Sequence, residues 1–164
     1  MLVQNPQDTP TDVAITYQAA SGPVAGPAFT MPPNSRVSVN VNDTTQIPGP
    51  DPSFSTRVHG TQPIIAERAM YWNGGADGGQ VCHDSIGLSA PHATWYLADG
   101  QTSDGRETWT LVQNPNTSAV TVRITYMTPS GAGNVVRNET IPAGSRRSFN
   151  MADHAGISGR AAIM

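Results

Sequence analysis

The chain has 164 residues, 37% of them hydrophobic and 13% charged, with a formal net charge of −3. Its basic residues are all arginine and form no basic stripe, which argues against nucleic acid as a partner. A lone cysteine, Cys82, excludes an intrachain disulfide and a cysteine-rich metal site, and is expected to serve as a small, partly buried hydrophobe.

Read from the start, Leu2-Val-Gln-Asn-Pro6 returns as Leu111-Val-Gln-Asn-Pro115, and the two stretches then run in parallel. At an offset of 109, Val13, Ile15, Thr16, Tyr17, Ser21 and Gly22 match Val122, Ile124, Thr125, Tyr126, Ser130 and Gly131. One residue enters the second copy, and at an offset of 110 Thr30, Pro32, Ser35, Arg36, Ser38, Asn40 and Asp43 match Thr140, Pro142, Ser145, Arg146, Ser148, Asn150 and Asp153. Internal repetition at this scale means tandem structural units.

Val120, Val122, Ile124 and Tyr126 alternate with Thr121, Arg123, Thr125 and Met127, the period of a strand with one buried face. Ser-Gly after that strand in both copies predicts a hairpin. In the next turn, Pro32-Pro-Asn-Ser35 stands opposite Pro142-Ala-Gly-Ser145, so Asn34 is aligned with Gly144. Those two residue types best tolerate φ > 0, which predicts a left-handed turn residue at both positions. Val37, Val39 and Val41 then correspond to Arg147, Phe149 and Met151 in a further strand, where Arg147 must end the strand or snorkel. Strands are expected at roughly 12–18, 35–41, 53–58, 62–73, 93–98, 106–113, 119–127, 135–141, 145–151 and 157–164. No convincing helical period occurs. The pattern predicts an all-β chain of sandwich units.

Copy one carries a Pro-rich loop at Thr44–Pro52 before Phe54–Val58, and Ser55 and Arg57 pair with Ser158 and Arg160. Copy one also continues through Gln62–Asn73, for which copy two has no counterpart. No apolar run is long enough to span a bilayer, so membrane insertion is not expected. Met1–Pro6 lacks the charged start and apolar core of a signal peptide, and since the chain opens within a repeat, any targeting segment could lie upstream in a longer precursor.

Ile64–Trp72, Gly78-Gly79, His83–Gly87, Thr94–Gly100, Leu111–Pro115 and Ile124–Met127 together resemble the successive signatures of an uncharacterised repeat family, found in tandem in large secreted or cell-surface bacterial proteins. The resemblance covers nearly the whole chain. It implies immunoglobulin-like β-sandwich repeats outside the cell, in a family with no assigned activity. Residues 1–93 would then be a first repeat lacking its initial strands, and 94–164 a second lacking its final ones.

Several residue groups bear on chemistry. His83-Asp84-Ser85 has the residue types of a hydrolytic triad, but neighbours on an extended chain point to opposite sides, so a hydrogen-bonded His buried in a turn is the better reading. His83, Asp84 and Trp95 are expected to form the junction between repeats, with His83 and Asp84 anchored to backbone groups. Glu67 and Arg68 lie in an apolar strand and are expected to form ion pairs that fix its register. Asp77, Asp84, Asp99 and Asp104 sit in Gly-containing loops, but their spacing matches no calcium loop. No metal, cofactor or catalytic residue is therefore expected.

Tyr71, Trp72, Trp95, Tyr96 and Trp109 are expected mainly in core or interdomain packing, since alternation sends one ring of each adjacent pair inward. Trp72, Tyr96 and Trp109 are the candidates for contact with a glycan or partner. The sequence points to a non-enzymatic structural or adhesive module, with neighbouring repeats or identical subunits as head-to-tail partners. The alternative is a carbohydrate-binding module recognising surface glycans.

Overall fold

The computed structural model describes residues 1–43, 53–73, 80–129 and 133–164. Among these, nearly all of the regular secondary structure is strand. It divides into two compact units, the first comprising Met1–Tyr17, Val24–Pro52 and Thr56–Ala90, and the second Gln18–Pro23, Ser53–Ser55 and Pro91–Met164. No helix among the described residues is long and apolar enough to cross a membrane.

The first seven strands are β1 (Leu2–Asn5), β2 (Thr11–Ala19), β3 (Gly22–Met31), β4 (Ser35–Ser38), β5 (Phe54–Gly60), β6 (Ile65–Asn73) and β7 (Gln80–Ile86). They form one sheet ordered β4-β1-β6-β7 and another ordered β3-β2-β5. The remaining strands are β8 (Leu97–Gln101), β9 (Trp109–Asn114), β10 (Val120–Met127), β11 (Val135–Ile141), β12 (Ser145–Asn150) and β13 (Arg160–Ile163). Here the sheets are ordered β12-β9 and β11-β10-β13-β8.

The repeat is thus visible as topology. β12-β9 mirrors β4-β1, and β11-β10-β13 mirrors β3-β2-β5. In the first unit Val3 and Val37 from one sheet meet Val13, Phe29, Met31 and Val58 from the other. In the second, Val112, Val135 and Phe149 pack against the cluster of Ile124, Tyr126, Ala161 and Ile163. Each is a sandwich-like pair of layers closing over an apolar interior.

The repeated Leu-Val-Gln-Asn-Pro stretch owes its form to the asparagine. Asn5 is fully buried, and its Nδ2 donates to the carbonyls of Thr9 and Pro32, both at 2.9 Å, while Oδ1 accepts from Gln7 N–H at 3.0 Å. Asn114 does the same with Ser118 O at 2.8 Å, Pro142 O at 3.0 Å and Asn116 N–H at 3.1 Å, and its Nδ2 also reaches Ile141 O at 3.1 Å. A buried amide with its hydrogen-bonding capacity engaged pins two turns at once. The aligned turn residues adopt left-handed backbone, with φ of 49° at Asn34 and 58° at Gly144, as their residue types predict.

Several expected elements differ. β3 is the second arm of the hairpin expected at Ser21-Gly22, but Pro23 and Pro27 obscure its strand pattern; the edge of a sheet tolerates proline where the backbone nitrogen faces away from the neighbouring strand. β1 and β7 were also unexpected, the former because a four-residue strand shows little periodicity, the latter because Gln80-Val-Cys-His-Asp-Ser-Ile86 lacks an apolar face. β8 begins at Leu97, leaving Trp95 and Tyr96 outside any strand. β4 ends at Ser38, short of Val39 and Val41.

Met151 is not the end of a strand but opens a five-residue helix, α1 (Met151–Ala155). Asn150 caps its N-terminus by accepting from Ala152 N–H, and Gly156 ends it in left-handed conformation at φ 68°. Arg147 sits mid-strand rather than at an end. It keeps half its side chain in solvent and reaches Glu139 Oε2 at 3.4 Å.

Candidate functional site

An exposed part of the first unit is the ribbon of β6 and β7. β6 pairs with β1 only through Ile65, Ala66 and Glu67, then runs on against β7 alone from Arg68↔Ser85 to Asn73↔Gln80. Alternation places Arg68, Met70 and Trp72 with Ser85 and His83 on one face, the continuation of the face on which Val3 is buried. Tyr71 lies with Cys82 and Asp84 on the other. From Met70 onward the β6 side chains are exposed on both faces. Met70 is 43% exposed, Tyr71 76%, Trp72 46% and Ile86 69%.

Within this ribbon, His83 stands edge-on to Trp72, with ring centroids 5.5 Å apart and planes at 74°. Arg68 Nη2 lies 3.3 Å from His83 Nδ1. A guanidinium can only donate, so Nδ1 accepts and the neutral ring carries its proton on Nε2. The arrangement presents an aromatic face, a cation and an imidazole N–H on one exposed surface.

The structure therefore corrects several expectations. His83 is exposed and mid-strand rather than buried in a turn, and its partner is a side chain rather than the backbone. Asp84 is exposed as well, and its side chain makes no hydrogen bond among the described residues. Neither residue therefore anchors itself to the backbone as expected. Glu67 and Arg68 make no ion pair among the described residues, where Arg147 pairs with Glu139 and Arg160 with Asp99. Cys82 is exposed rather than partly buried.

The aromatic pairs do not divide into an inward and an outward ring either. Tyr71 and Trp72 do alternate, but both are exposed, while Trp95 and Tyr96 are in irregular chain and are 41% and 72% exposed. Trp95 stands edge-on to His92 at 5.2 Å. Trp109 is 50% exposed and donates from Nε1 to Glu107 Oε2 at 3.1 Å. An open groove lined by Thr102, Arg106, Glu107, Asn150 and Asp153 lies in the same unit.

One convergent polar cluster had no sequence signal, because its members come from three separate elements. His154 on α1 lies with Nδ1 2.8 Å from Tyr126 Oη and Nε2 3.0 Å from Glu139 Oε1, and Phe149 packs on its ring at 4.6 Å. The carboxylate accepts from Nε2–H, and Nδ1 accepts from the tyrosine hydroxyl, so the neutral imidazole satisfies both neighbours. Tyr126 is fully buried, and that burial raises its hydroxyl above the usual tyrosine range. A hydroxyl sealed in the core and held protonated is a poor nucleophile, and the cluster instead clamps α1 onto β10 and β11.

Asp99 pairs with Arg160, Asp104 accepts from Gln101 and Ser103, and Asp77 lies outside the described residues. Among the described residues no group of three His, Cys, Asp or Glu side chains could hold a metal ion. Comparison with family models, curated proteins and solved structures gives no match.

Proposed function

We propose that the chain is a non-enzymatic structural repeat module of a bacterial extracellular surface or filament protein. Its immunoglobulin-like sandwich units would assemble on neighbouring repeats or on identical subunits, head to tail. The observation that supports this reading is the β6–β7 ribbon. A two-stranded ribbon is marginal by itself in water. This one presents Met70, Tyr71, Trp72 and Ile86 to solvent across both faces, and an apolar surface of that kind is suited to contact with another protein surface. Heterologous contacts that do not close on themselves generate filaments.

The reading is tested by sedimentation of the chain beside a Met70→Glu/Trp72→Glu variant. The expected outcome is concentration-dependent association, weakened at least about tenfold in the variant. A wild-type chain that stays monomeric at every concentration, with the ribbon protected from hydrogen exchange, would overturn it.

A second reading, a carbohydrate-binding module, is favoured by the Trp72, His83 and Arg68 cluster, since a flat ring beside polar donors suits a sugar face. Binding on a glycan array that disappears in Trp72→Ala would select this reading over the first.

A further inference from the structure

The two units differ at one equivalent edge. β1 is flanked by β4 on one side and β6 on the other, whereas β9, its counterpart in the repeat, has β12 on one side and, among the described residues, no strand on the other. The accessibility of matched residues follows this difference. Val3 is completely buried while Val112 is only partly so, and Leu2 is partly buried while Leu111 is 48% exposed. In the first unit Ile64, just ahead of β6, packs on the cluster containing Val3, and Ala66 stands opposite Val3 in the ladder.

We propose that the outer edge of β9 is a docking site for an extended strand with the chemistry of β6, supplied by a further repeat of the same kind. Its register is the one β6 adopts on β1: a Glu67 equivalent opposite Leu111 and an Ala66 equivalent opposite Val112. This inference rests on the reading of the chain as a repeat module and names the partner of one of its edges. A row of unpaired backbone N–H and C=O groups is a template for strand addition. Main-chain hydrogen bonds would supply affinity, and alternate side chains specificity.

Specificity follows from the two faces of the incoming strand. Its inward positions must be apolar and, opposite Val112, small, as Ile64 and Ala66 are in the first unit. The position opposite Leu111 faces outward and takes a charge, as Glu67 does opposite Leu2. The Gln113 side chain already donates to Gln18 of the same unit, so the free length is Trp109 to Val112.

The test is hydrogen–deuterium exchange on the full chain with a synthetic peptide of residues 63–70, which omits Tyr71 and Trp72 so that aromatic adhesion cannot mimic pairing. The expected result is a slowing of exchange of at least about tenfold across 109–114. A peptide carrying Ala66→Asp, which places a charge on the inward face, should lose the effect. No slowing at 109–114 at millimolar peptide, or slowing by the charged peptide to the same degree, overturns the proposal. Slowing that follows chain concentration without peptide also overturns it, since the occupant would then be a second copy of this chain. If the peptide fails while the chain still associates through Met70 and Trp72, the edge assignment alone falls; if both fail, the repeat-module reading falls with it.

Discussion

Asn5 and Asn114 stand 109 positions apart and hold the same turn by the same hydrogen bonds, each drawing a downstream proline carbonyl, Pro32 or Pro142, to its side-chain amide. Asn114→Ala leaves the Ser118, Ile141 and Pro142 carbonyls without this donor in a water-poor site. The expected loss is about 2–3 kcal/mol in urea denaturation. Asn114→Asp keeps the acceptor for Asn116 N–H but sets a carboxylate against those carbonyls, and should lose more than the alanine variant.

Asn34, at φ 49°, also donates from Nδ2 to Asp8 Oδ1 at 3.1 Å, an exposed bond that glycine and alanine both forgo, so the difference between those two variants tests backbone conformation. Asn34→Gly should leave the midpoint of thermal unfolding nearly unchanged, whereas Asn34→Ala should cost about 1–2 kcal/mol, because a Cβ without a compensating side-chain hydrogen bond disfavours the left-handed region. Equal midpoints for the two variants would show that the turn can relax out of that region.

Gly100 is buried where β8 meets β13, and an added Cβ would lie 3.0 Å from both Ala161 O and Thr108 Cγ2 and 3.3 Å from Met151 Sδ. Gly100→Ala should therefore cost about 1–3 kcal/mol by overpacking. Hydrogen exchange should quicken across 97–101 before it quickens in β10. Unaltered exchange in β8 would mean that the strand shifts outward without resistance.

Burial raises the hydroxyl pKa of Tyr126 and Tyr17 above the usual tyrosine range. Above pH 10 the unfolded chain releases a phenolic proton that the folded chain retains, so stability falls as pH rises through that window toward the folded pKa; below it, the contribution is constant. Tyr126→Phe should lose about 0.5–1.5 kcal/mol at neutral pH with its bond to His154. It should also flatten part of the alkaline decline, measured by urea midpoints from about pH 7 to 11.

The fold was readable wherever one face of a strand is buried and the other wet. Val13, Ile15 and Tyr17 announced β2 in this way, and Ile124 and Tyr126 announced β10. β7 escaped because it is exposed through most of its length, and alternation leaves no trace where neither side is apolar and covered. α1 escaped because five residues are too few for a 3.6-residue period, although Asn150 and Gly156 mark its ends. The aromatic residues misled for another reason: hydrophobicity shows that a side chain gains from cover, not that cover is present, and Trp72 lies past the last residue that β1 pairs. The Glu139–His154–Tyr126 cluster is assembled from β11, α1 and β10 by tertiary packing, and spacing along the chain could not reveal it.

Every hydrogen bond made by the side chains of Asn5 and Asn114 ends on a backbone atom, so the turn prescribes little about the residues around it. Thr9 and Ser118 serve equally as acceptors, as Asn34 and Gly144 serve equally at the bend. What must persist is a sparse grammar: Asn-Pro, a second proline 27 or 28 positions after the asparagine, a residue suited to left-handed backbone two places later, and then serine. Copies obeying that grammar could drift until percentage identity no longer registered their kinship. Spacing, rather than resemblance along the whole length, would be the surer means of finding them.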